Sequence, residues 1–347
     1  MKTCNYFTIL FVFCVLFSGL AKANEKKKEY HKEWPAEDVA TLQIINRFGE
    51  VRINNDGGEQ VTIDVEITVE TSSERKTNEL LDNINVDFRK SGRTIVAETS
   101  IDDDVRGRKS FSINIIVNIP SDKNLDITNK YGNTFVNCLK GNGRFELKYG
   151  NFSANELLAK EDCSLYLAYG RANIGTANSL TAEVRYSPVL SVGKIEKMEL
   201  ESKYSTIEID EAEALNIESK YDKLYLGQVG AVDVECRYSH LRVDDLLKKL
   251  EVESGYGSIR VKEVGQDFEL VDITNSYGQI ALGIDNSNYT IDAECEYCGI
   301  SYPKETFSGK REKDHHTYII NGKIGAGDGG KVYIESRYGD INLQNRN

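Results

Sequence analysis

A tyrosine returns through most of this chain at a nearly constant interval, and that recurrence restricts the fold more than any other feature. Tyr131, Tyr149, Tyr169, Tyr186, Tyr204, Tyr221, Tyr238, Tyr256, Tyr277, Tyr297 and Tyr338 are separated by 18, 20, 17, 18, 17, 17, 18, 21, 20 and 41 residues, the last interval being two periods. Nine of the eleven are followed by Gly or Ser; Asp222 follows Tyr221 and Cys298 follows Tyr297. Self-similarity at such a period marks a chain of stacked repeats, each too small to bury its apolar side chains except against its neighbours.

Register against the tyrosine shows what each unit is. Apolar residues stand three and five places after it, as in Ile207 and Ile209, Leu224 and Leu226, or Ile259 and Val261. Others stand six and four places before it, as in Leu215 and Ile217 or Val232 and Val234. Polar residues separate the members of each pair, and a period of two means strand. No helical stretch intervenes, and the L-x-x-L-x-L pattern of leucine-rich repeats is absent. The expected fold is all-β: a right-handed parallel β-solenoid (β-helix) with coils of 17–21 residues, each coil stacking on the next in sequence.

Parity assigns directions to the recurring columns. The tyrosine shares parity with the apolar positions before it, so the rings are expected inside a corner as a core stack. The position two before it is small (Ser202, Ser219, Cys236, Ser254, Asn275, Cys295, Ser336) and is also expected inside. Gly or Ser after the tyrosine would allow the turn. Glu recurs three places before the tyrosine, as at Glu146, Glu183, Glu201 and Glu218, and Lys or Arg one place before it, as at Lys148, Arg185, Lys203 and Lys220. Carboxylates stacked at the strand spacing of about 4.8 Å repel one another, and the parallel basic column offsets that repulsion.

Outside the repeat the chain changes character. Lys2, the apolar run from Phe7 to Phe17 and Ala21-Lys22-Ala23 read as a signal peptide over residues 1–23. The run is shorter than the roughly 20 residues that span a bilayer, so no transmembrane segment is expected after cleavage. Loss of Lys2 and Lys22 takes the formal charge from −12 to −14. So acidic a chain argues against nucleic acid and anionic lipid as main partners. Residues 24–35, dense in Lys and Glu, read as a disordered leader. Residues 36–125 read as an N-terminal cap with irregular first coils, including Phe48 with Val51 and Ile53. That cap also holds one short helix from Glu74 to Ile84, capped by Ser72 or Ser73. Residues 126–347 read as the regular solenoid, interrupted by an extruded charged loop at 303–317.

Cys295-x-x-Cys298 is the sharpest local motif, with His315 and His316 downstream. Two ligating histidines need several residues between them to reach one ion, so adjacent histidines argue against a metal site. A local Cys295–Cys298 disulfide is the alternative for an exported protein. Catalysis finds little support: acidic residues form evenly spread columns, and G-x-S-x-G, H-E-x-x-H and P-loop patterns are missing. The cluster Asp102, Asp103 and Asp104 reads as a solvated loop. No catalytic residue, metal or cofactor is expected.

The segment from Ile113 to Pro120 (INIIVNIP), then Leu125-x-Ile127-x-Asn129-x-Tyr131-Gly132 and the Tyr-Gly coils, resembles the DUF4097-type putative-adhesin family of exported bacterial proteins, commonest in Bacteroidetes. The resemblance covers about residues 40–345. It implies a β-solenoid in the cell envelope and carries over no catalytic residue. The expected function is that of a non-enzymatic exported cell-envelope protein, an adhesin-like binding or structural solenoid in the periplasm or at the cell surface. Its ligand is unknown, a glycan or an envelope protein. The alternatives are a carbohydrate-active enzyme on a parallel β-helix and an envelope partner of a membrane signalling system.

Overall fold

Alternation of apolar and polar residues over fifteen positions makes each central repeat one long, bent strand. Arg171–Arg185, Val189–Lys203, Thr206–Lys220, Lys223–Arg237 and His240–Gly255 each run from one tyrosine to the next. In the computed structural model, which describes residues 24–55, 58–102, 111–159, 163–284 and 288–344, these strands pair in parallel, coil on coil. Pairing lapses midway, at Gly175 and Asn178 or at Asp210 and Glu213, where the strand bends onto the second face. Each coil therefore has a sharp corner at the tyrosine and a smooth one opposite. The β-solenoid expected from the repeat is the fold of this chain.

The core lies between the two faces. In Thr206–Lys220 the inward residues are Ile207, Ile209, Ala212, Leu215, Ile217 and Ser219, all buried. The small column two before the tyrosine is inside, from Ser202 through Ser336. Outward, Glu and Lys or Arg of the same strand pair two residues apart: Lys148 with Glu146 at 3.1 Å and Lys203 with Glu201 at 2.8 Å. Such exposed pairs contribute little individually but relieve the stacked carboxylates.

Both ends depart from sequential stacking. The last coil does not follow the coil of Tyr297. Gly330–Arg337 inserts between Leu270–Ser276 and Tyr289–Glu296, so the order along the axis is Tyr277, Tyr338, Tyr297. The segment read as an extruded loop is a hairpin. Phe307–Lys313 pairs antiparallel with Thr317–Ile324, which pairs antiparallel with Tyr289–Glu296 and extends that face outward. At the other end, residues 24–35 are no disordered leader. Asn24–Pro35 is a strand pairing over its whole length with Gln60–Thr71, which in turn pairs with Phe111–Asn118. Its Tyr30 and Trp34 pack towards Phe88, and on the same side Lys26 meets Glu74 at 2.8 Å and Lys28 donates to Asn85 Oδ1 at 2.7 Å, while Glu25, Lys27, Glu29 and Glu33 are exposed.

The charge that resembled disorder is what an edge strand needs. Asn24–Pro35 and Phe307–Lys313 are terminal strands, and charged edges resist pairing with other chains. Between the antiparallel strands of the cap, the helix Glu74–Asp82 buries Thr77 and Leu80. Ser73 is its N-cap but makes no side-chain cap; the Ser73 carbonyl instead accepts from Thr71 Oγ at 2.8 Å. Of the acidic run, Asp103 and Asp104 lie outside the described residues, as do residues 1–23. No helix among the described residues is long and apolar enough to cross a membrane.

Stacking predicts a rod. Eleven ring-to-ring intervals of 4.7–5.3 Å join Phe48 to Tyr297. Together they give about 55 Å along the axis before either cap is added. A compact globule of this chain length would have a radius of gyration of about 20 Å. Small-angle scattering is expected to give a larger value and a pair-distance function with a long tail; a symmetric distribution from the monomer would contradict the coil stack.

Candidate functional site: an exposed tyrosine ladder

The tyrosines are not in the core. All eleven adopt left-handed backbone conformations, with φ between 50° and 60°, and their side chains are half exposed. This reverses the inward assignment made from parity, and the backbone explains why. Lys203 points outward, so strict alternation would send Tyr204 inward. A left-handed residue at the corner inverts the alternation, so Tyr204 points outward as well and Ser205 turns into the core. The glycine after the tyrosine is not the residue that supplies the positive φ. It is needed because a Cβ at Gly150 would strike the carbonyl of Gly132 in the neighbouring coil, and the same holds at Gly278 and Gly339.

The outcome is a continuous ladder. Phe48 and the eleven tyrosines stack with interplanar angles of 1–14°. Phe111 closes one end edge-on at 5.3 Å, and His316 leans on Tyr297 at 4.8 Å at the other. Neighbouring rings cover one another's faces, so the ladder presents edges and hydroxyls to solvent. Left-handed geometry costs a residue with a Cβ about 1 kcal/mol or more. Each ring–ring contact returns about 0.5–1.5 kcal/mol.

This balance makes an unusual prediction. Tyr204→Ala removes the contacts with Tyr186 and Tyr221 and keeps the backbone strain, and is expected to cost about 2–3 kcal/mol. Tyr204→Gly loses the same contacts but relieves the strain, so it should be about 1 kcal/mol more stable than the alanine variant. Urea unfolding of the pair reads the difference; an alanine variant as stable as the glycine variant would mean that the corner is not strained.

Beneath the middle of the ladder lies a buried polar cluster that sequence reasoning missed. Where other coils have Gly after the tyrosine, these have Ser187, Ser205, Asp222 and Ser239, all buried. Asp222 accepts from Ser202 Oγ at 2.6 Å, Ser219 Oγ at 2.8 Å, the Ser205 amide at 2.6 Å and the Lys220 amide at 3.1 Å. Burial pushes its carboxyl above the ordinary range, against the pull of those hydrogen bonds. The signal was present in the sequence: an Asp where only small residues recur.

Above this cluster lies a shallow, open depression lined by Tyr186, Tyr204, Tyr221, Ser205, Thr206 and Lys223. A second concavity, of 640 Å³, lies over the N-terminal strands. There His31 Nδ1 meets Asp64 Oδ1 at 2.6 Å, among Glu29, Glu50 and Glu66. The hydrogen bond that the His31 ring donates to the Asp64 carboxylate is the leading cause that raises the His31 pKa. At the far end Cys295 and Cys298 are joined in a disulfide across the Tyr297 corner. His315 and His316 sit at the turn of the hairpin, their ring centroids 6.4 Å apart.

Three solved structures show what the chain is similar to. A "putative cell adhesion protein" from Clostridium sporogenes is 12% identical, with 92% of this chain and 100% of that one covered and a TM-score of 0.21. A "putative adhesin" from Bacteroides fragilis is 12% identical, with 91% and 97% covered and a TM-score of 0.33. A "putative lipid binding protein" from Parabacteroides distasonis is 10% identical, with 74% and 92% covered and a TM-score of 0.36. No curated protein matches the chain. The family described as Toastrack DUF4097 matches residues 39–344, the capped solenoid from its first coil to its last, and the chain belongs to that family.

Proposed function

We propose that this chain is a non-enzymatic, exported protein of the cell envelope whose ladder face is a contact surface for a glycan or another envelope component. One observation carries the reading. Eleven tyrosine rings are held half exposed, at positions where glycine or asparagine would meet the left-handed backbone at lower cost. Ring-on-ring stacking offsets the strain of the left-handed corner, and it does so on the outer surface rather than in the core. A rigid row of ring edges and hydroxyls at a fixed spacing is suited to holding an extended partner. Signal-peptide character at the N-terminus and membership of the Toastrack family support an envelope location.

The test joins binding to turnover. Purified protein is expected to be retained saturably on envelope fractions or on glycans of an array, and to leave their chain length unchanged on prolonged incubation. Shortening of any bound polysaccharide would replace this reading with an enzymatic one. Protease shaving of intact cells assigns periplasm or surface.

A further inference from the structure

Exposed bases gather on the face that follows the ladder, although the chain as a whole is acidic. The formal net charge is −12. Yet within four residues after the tyrosines, Arg171, Lys223, Arg242 and Arg260 are exposed bases, against Glu208 and Asp340 as exposed acids. Arg242 and Arg260 are register partners on adjacent parallel strands. Like charges so placed destabilise a sheet unless an anion is shared between them. Asp244 meets Arg242 at 3.0 Å. Among the described residues Arg260, Arg171 and Lys223 make no ion pair. Lys223 lines the shallow depression beside the ladder, and Arg242 and Arg260 line a groove of 310 Å³ with Lys262 and Glu263.

We propose that this face binds a linear glycan bearing uronic-acid carboxylates, a ligand class that rests on the binding role proposed above. The chain of sugars follows the ladder, with hydroxyls meeting the phenols and Thr206, and carboxylates meeting Lys223 and the Arg242–Arg260 pair. Guanidinium forks suit carboxylates because two N–H groups match two oxygens. A nucleic acid fits less well. Bases bind single-strand sites by stacking on open aromatic faces, and each face here is covered by the next ring. A dense row of phosphates would also meet the Glu183, Glu201, Glu218 and Glu235 column across the ladder, whereas carboxylates on one edge of a glycan need not.

The experiment uses the purified exported chain and four probes: polygalacturonate, neutral amylose, polyglutamate and an oligothymidylate. Polygalacturonate is expected to bind, more weakly as salt rises, and amylose not to bind. Lys223→Glu with Arg260→Glu should weaken polygalacturonate about tenfold or more. Lys249→Glu, on the opposite face, should not change it, and all variants should melt like the parent. Equal affinity in the double variant overturns the site. Polyglutamate or oligothymidylate binding as tightly as polygalacturonate overturns the ligand class. If polygalacturonate fails while another envelope glycan is retained, this inference falls and the binding role stands. If no envelope component is retained, the binding role itself falls.

Discussion

Ser219→Trp is expected to leave the chain unable to hold its solenoid. Ser219 is buried in the small inward column, with Ser202 and Cys236 as register partners in the coils on either side. Its hydroxyl donates to Asp222 at 2.8 Å and lies 3.0 Å from Ser239 Oγ. An indole has no room between coils held at the strand spacing. It would force two interfaces apart while removing a hydrogen bond from a buried carboxylate. Overpacking alone costs about 1–3 kcal/mol, and with the lost bond the total should exceed about 4 kcal/mol. Glu218→Gln, one residue away and facing solvent, should stay within about 0.5 kcal/mol of the parent. Thermal and urea melts of the two variants check this; a parent-like melt for Ser219→Trp would place that column outside the core.

Asp222→Ala should be nearly as damaging, at about 3 kcal/mol, because it removes the acceptor of the buried Ser205 amide and Ser202 hydroxyl and one partner each of the Lys220 amide and the Ser219 hydroxyl. The acid also leaves a signature in pH. Burial raises its pKa above the unfolded value of about 3.9, so the folded chain holds the proton more tightly than the unfolded chain does. The resulting stability is fully present below the unfolded pKa and is lost as pH rises through the folded one. Asp222→Asn removes that dependence. Its difference from the parent in unfolding free energy should therefore change across this acid window and be constant above it. A difference that stays constant through the window would show that the carboxyl is not shifted by burial.

The central coils were legible because strand, face and spacing are written locally. Ile207, Ile209, Leu215, Ile217 and Ser219 alternate with polar neighbours, and each lies where that alternation puts it. The Glu and Lys columns were legible for the same reason, as was a helix at Glu74, although no serine side chain caps it. The ladder was found as a column and placed on the wrong side. Tyr-Gly reads as a turn in which glycine bears the positive φ, and here tyrosine bears it. The depression beside Tyr204 and the Arg242–Arg260 pair could not be read at all, since both depend on which residues of separate coils become neighbours.

By itself, then, the sequence determined the period, the strands, the coil and its apolar inward columns, because alternation along fifteen residues leaves one way to bury the apolar set. Tertiary structure decided three things. It turned the tyrosines outward, through a single left-handed residue whose strain is met by rings stacked from neighbouring coils. It made an edge strand of Asn24–Pro35, whose charge is compatible with solvent alone or with pairing to Gln60–Thr71. It set the order Tyr277, Tyr338, Tyr297, because an interval of 41 residues spans two coils in either order. The choice between those orders rests on contacts between strands far apart in the chain, which local pattern does not encode.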